Sequence, residues 1–173
     1  MKKLYFLFLI AISLGGISQP RVKIYAYSQI TTPGTIPKGV TDENGNRLNT
    51  KKEISVNYYI FASYNSSAKI AFSEVWIKGK LYNSKIKKID STPVINVNET
   101  IPDKPVKEEL VPATKEKVLS IVPAETKKSS LTKTSWFIKM TKHSELIVSY
   151  LYHGKKYFIM IKKIKMLEPI AGV

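Results

Sequence analysis

The chain has 173 residues, no cysteine, and 28 basic against 13 acidic side chains, for a formal charge of +15. Without cysteine there are no disulfide staples, no thiol catalysis and no N-terminal lipid-modified cysteine, so packing alone must hold the fold. Arg21 and Arg47 are the only arginines, and an excess made almost wholly of lysine suits diffuse attraction to anionic surfaces better than bidentate readout.

Met1-Lys2-Lys3 is a short positive start, followed by an apolar run over residues 4–14 that only Ser13 interrupts. Gly16 and Ser18 fit the −3 and −1 positions of a signal-peptidase cut before Gln19. The run is shorter than the roughly 20 residues a bilayer-spanning helix needs. The expectation is a cleaved secretory signal at 1–18 and a single exported domain over 19–173, periplasmic or cell-surface associated, with no transmembrane anchor after cleavage.

Period-two alternation dominates the remainder. Residues 22–30 read as a first strand, and 31–50 as a long loop punctuated by Pro33-Gly34, Pro37, Gly39 and Asn44-Gly45-Asn46. The even positions from Ile54 to Tyr64 are apolar, which predicts a strand, and Asn65-Ser66-Ser67 turns the chain. A second long strand is expected over 69–82, with Ala71, Val75, Ile77 and Leu81 on one face and Phe72 and Trp76 on the other. Shorter strands follow at 85–90 and 94–97. Pro102, Pro105 and Pro112 mark 99–117 as a flexible Pro/Lys/Glu-rich excursion, and truncating 101–116 should barely alter the fold.

Residues 145–152 and 155–167 form the clearest hairpin, turning at His153-Gly154. A two-residue turn sets Tyr150 opposite Tyr157, Val148 opposite Ile159 and Leu146 opposite Ile161. On the other face Ile147 meets Met160, Ser149 meets Phe158 and Glu145 meets Lys162. Each such pair is worth roughly 0.2–1 kcal/mol. Several strands, no βαβ spacing and no long helical period predict an all-β antiparallel β-sandwich, with an immunoglobulin-like arrangement favoured within that class.

Asp42, Asn44, Asn46 and Glu53 stand at positions 1, 3, 5 and 12 of a calcium loop, a weak signal, because Arg47 occupies the position that wants glycine. Asn-Gly-Asn also explains itself as a tight turn. His143 and His153 lack metal-ligand spacing and fall in expected turns. Glu74 is a carboxylate between Phe72 and Trp76 that acid–base chemistry would pair with Asp90 or Glu53. A salt bridge to Lys69 or Lys78 is the plainer reading. Asn65 and Asn98 head N-x-S/T sequons.

Lysines interleave with aromatics in two stretches, which gives a candidate binding surface of Trp76, Lys78, Lys80, Tyr82, Lys85, Lys155, Lys156, Tyr157 and Lys162. Lysine on edge strands also defends against aggregation, so the same residues have a purely structural explanation. An exported address and the scarcity of arginine argue against nucleic acid. The sequence thus points to a non-enzymatic binding or assembly protein of the cell envelope, without a cofactor, that docks to a protein partner or an anionic glycan or lipid surface. The alternative is a carbohydrate-binding or hydrolytic β-domain using carboxylates near Asp42, Glu53 and Glu74.

Overall fold

A computed structural model describes residues 20–32, 54–99, 105–126 and 135–171. Their strands are β1 (Val22–Thr32), β2 (Ser55–Tyr64), β3 (Ile70–Ile77), β4 (Lys80–Ile89), β5 (Val94–Asn98), β6 (Val106–Val111) and β7 (Lys117–Thr126). The helix α1 (Ser135–His143) follows, then β8 (Leu146–Tyr152), β9 (Lys155–Ile161), β10 (Lys165–Met166) and β11 (Ile170–Ala171). One ladder runs β10-β1-β2-β7-β4-β3-β8-β9, with β11 also on β1, while β5 and β6 form a separate pair.

The ladder folds at its shortest joint. β3 and β4 pair only at Val75–Tyr82, Trp76–Leu81 and Ile77–Lys80. Away from that corner β3 follows β8 and β4 follows β7, so the curled sheet becomes two leaves, β1-β2-β7-β4 and β3-β8-β9. The fold is all-β and sandwich-like. The strand order of the leaves is that of the ABED and CFG sheets of a constant-type immunoglobulin domain. This chain adds the β5–β6 hairpin, α1, and a C-terminal tail that lies parallel on β1.

Alternation fills the space between the leaves. Ile60, Ala62 and Ile121 from one meet Val75, Ile77, Leu146 and Val148 from the other, all essentially inaccessible. Burying each large aliphatic side chain contributes about 1.5–3 kcal/mol. A chain of rings, Tyr64–Phe72–Tyr150–Tyr157, with centroids 5.9, 6.0 and 5.5 Å apart, closes one end. Outside the first leaf, Leu110 and Val111 of β6 pack on Phe61, Val118 and Leu167. Outside the second, Phe137 of α1 packs on Trp76, Leu81 and Ile147.

The expected hairpin has the register read from the sequence, from Leu146–Ile161 to Tyr152–Lys155. The strands expected at 22–30 and 54–64 are β1 and β2. Several expectations are corrected. The long strand over 69–82 is two strands, broken at Lys78-Gly79, where both residues have positive φ (49° and 79°), as a two-residue hairpin turn requires. A β-bulge then sets Ser73 and Glu74 against the single residue Ser149, which turns Phe72 inward beside Val75 and Ile77.

The segment 99–117 is not simply an excursion. Pro105 and Pro112 stand just outside β6, where they cost no ladder bonds, and the strand between them buries Leu110 and Val111. Glu145 and Lys162 meet as expected, with the Glu145 N–H donating to Lys162 O at 3.3 Å, but the Glu145 carboxylate accepts the Ile164 N–H at 2.7 Å and forms no ion pair with the lysine. His143 ends α1, a helix the period-two reading did not anticipate.

Candidate anion-binding cleft

Two lysines that are 84 positions apart in sequence meet at one pole of the sandwich. Lys78 sits in the β3–β4 turn, whose N–H donates to the Glu145 carbonyl at 2.7 Å. Lys162 directly follows β9, where Ile161 O accepts the Glu145 N–H at 3.0 Å. These two bonds hold the turn and the end of β9 on either side of the chain entering β8. Helix α1 ends at the same place, and its last turn brings Lys142 and His143 to the helix C-terminus, where the dipole favours positive charge.

The cleft enclosed by these elements measures about 360 Å³ and is lined by Lys78, Lys142, His143 and Lys162 with Thr141, Ser144 and Glu145. The Thr141 hydroxyl donates to Ile138 O at 3.0 Å, which leaves its oxygen facing the last turn. Glu145 is the acid of the cleft, and its carboxylate is engaged by the Ile164 backbone. Its charge also reaches Tyr58. The Tyr58 hydroxyl is raised above its ordinary range by burial first, then by Tyr82 and Glu145.

Four lysines outside the cleft have an acidic partner. Among the described residues the ion pairs are Lys23–Glu116, Lys88–Asp90, Lys156–Glu74 and Lys165–Glu108. None uses a cleft lysine, so Lys78, Lys142 and Lys162 border the cleft without an ion pair among the described residues. No protein-family model, curated protein or solved structure matches this chain.

The nine residues expected to form one surface are dispersed. Lys78 and Lys162 share the cleft, and Lys80 stands across the turn from Ile77. Lys155 and Lys156 lie at the opposite pole, beside the His153-Gly154 turn. Lys85 is exposed on β4. Trp76 is only 1% exposed, wedged edge-on against Phe137 at 5.1 Å, and so offers no contact surface. Tyr82 faces the core, and Tyr157 is stacked on Tyr150. The aromatics alternate with lysine because one sheet face is packed, not because ring and charge share a surface. Lys142 and His143 were missed because a nine-residue helix carries too few turns to show its period.

Glu74 pairs with Lys156, which lies over the Trp76 and Phe158 rings at 5.9 and 5.6 Å. Asp90 pairs with Lys88, so the two carboxylates are not brought together. Asp42, Asn44, Asn46 and Glu53 lie outside the described residues. The two sequons differ in access. Asn65 is exposed in a turn where Ser67 donates to its Oδ1, whereas Asn98 is buried with its amide donating to Pro169 O at 3.0 Å.

A larger groove of about 500 Å³ opens where β2 and β7 part company beyond the Phe61–Ser120 pair. Continuing the register would put Tyr58 opposite Pro123, which has no N–H to give, and the strands diverge there. Tyr58, Tyr82, Asn57 and Ser120 line it, with no charged side chain among its walls.

Proposed function

We propose that this chain is an exported, non-enzymatic binding or assembly module of the cell envelope that docks an acidic protein partner through its lysine-bearing pole. The observation that carries the reading is that Lys78, Lys142 and Lys162, from three separate elements, border one cleft whose acid, Glu145, is bonded to backbone and forms no ion pair with them among the described residues. Like charges repel, so such a convergence costs energy in the free protein and is relieved by an anion. The rest of the sandwich supports this use, because a rigid core holds the turns that present the lysines.

The test is binding to poly-glutamate as salt is raised from about 20 to about 300 mM, which shortens the screening length from roughly 20 Å to below 10 Å. Affinity should fall steeply. Affinity unchanged across that range removes electrostatics from the interaction. The uncharged, tyrosine-lined groove between β2 and β7 favours a second reading, a carbohydrate-binding domain. In that case a neutral oligosaccharide would bind without salt dependence and Tyr82→Ala would abolish it.

A further inference from the structure

Resting on that docking reading, we infer that the cleft is a site for a tetrahedral oxyanion, a phosphate or sulfate group borne by the partner. Its donors approach from different directions: Lys78 from a turn, Lys142 and His143 from a helix end, Lys162 from the end of β9. Lysine ammonium groups are point charges without a preferred plane, and several of them around one volume suit a tetrahedral anion. A planar carboxylate is better served by the arginine fork, which this pole lacks. His143 supplies an N–H donor in either protonation state. The depression is small, about 360 Å³, and open to solvent, with room for one compact anionic group at a time.

Lys78 adds an independent argument. It occupies the first position of its turn at φ +49°, a left-handed conformation that β-turns of this kind normally give to asparagine, aspartate or glycine. The equivalent position of the β8–β9 turn is His153, a residue type that tolerates that region. Helix-end electrostatics explain Lys142 and His143 on structural grounds alone, but nothing in the turn explains a lysine at 78. A side chain kept where the backbone disfavours it is a mark of use.

The experiment is a titration of the purified protein, followed by amide NMR, with sodium sulfate, inorganic phosphate and sodium acetate at matched ionic strength. Sulfate and phosphate should shift residues 78, 141–145 and 162 selectively and saturate at concentrations about tenfold below acetate. Lys142→Gln and Lys162→Gln should each weaken sulfate by about two- to fivefold. Lys78→Asn should weaken it similarly while its melting temperature holds or rises, since asparagine suits the turn. A purely structural lysine would change the melting temperature and leave sulfate affinity alone. Shifts scattered over the lysines of both poles, acetate equal to sulfate, or unaltered affinity in Lys78→Asn would each overturn the site. Poly-glutamate separates the two claims: if it still binds in those cases the docking reading stands, and if it fails on the unaltered protein both fall.

Discussion

The Ser149 hydroxyl, wholly inaccessible in the middle of β8, does the work of a missing ladder residue. It accepts the Glu74 N–H at 3.1 Å, reaches Glu74 O at 3.3 Å and meets the Ser73 hydroxyl at 2.9 Å. Ser149→Ala strands these groups and is expected to cost about 1–3 kcal/mol, read as a lower denaturation midpoint with unchanged slope. A loss below a few tenths of that would mean that the bulge holds itself. Alternation in the sequence set Phe72 opposite Val75, and no local signal announces the extra residue, so facing was legible on β8 but not on β3. Tyr58 gives a second handle. Its hydroxyl is held above its ordinary range, so the unfolded chain loses this proton first, and stability is full below about pH 10 and falls as pH rises beyond it. Tyr58→Phe should flatten that alkaline decline, and an identical pH profile would show that other groups set it.

The β5–β6 hairpin is tied to the first leaf. Tyr27 donates to Leu110 O at 2.8 Å, Thr92 and Thr114 bond across the neck, and Lys165 pairs with Glu108. Leu110→Ala should therefore destabilise the protein by about 2–5 kcal/mol, and deletion of 99–117 should lower the melting temperature markedly. Thermal melts with either variant matching the parent would restore the flexible excursion the composition suggests. The prolines were read as breakers because sequence shows their presence but not which side of a strand they flank. Helix α1 hid for a related reason: over nine residues, Phe137 and Met140 give a single i, i+3 pair, too short a run to establish a helical period. By contrast, the β8–β9 hairpin was readable to the residue. Its turn signal, ring pairs and aliphatic pairs all demand one register, and no bulge intervenes.

Taken as a molecule, the chain uses its few acids in local pairs. Glu116 ties the first leaf to the following loop through Lys23 and Ser63, and Glu74 neutralises Lys156 against a buried tryptophan. The lysine excess was plain in the composition, but its focus was not, because Lys78, Lys142 and Lys162 become neighbours only when the leaves close and α1 docks. The charge of +15 alone predicts some attraction to any polyanion, and so binding by itself does not distinguish a site from a basic surface. The deciding measurement is poly-glutamate affinity at about 50 mM salt for two charge-matched triple variants. Lys78→Asn/Lys142→Gln/Lys162→Gln neutralises the cleft, and Lys85→Gln/Lys87→Gln/Lys155→Gln removes the same charge elsewhere. The cleft variant should lose at least about tenfold in affinity and the control no more than about threefold. Equal losses in the two would contradict a localised site and leave only net charge.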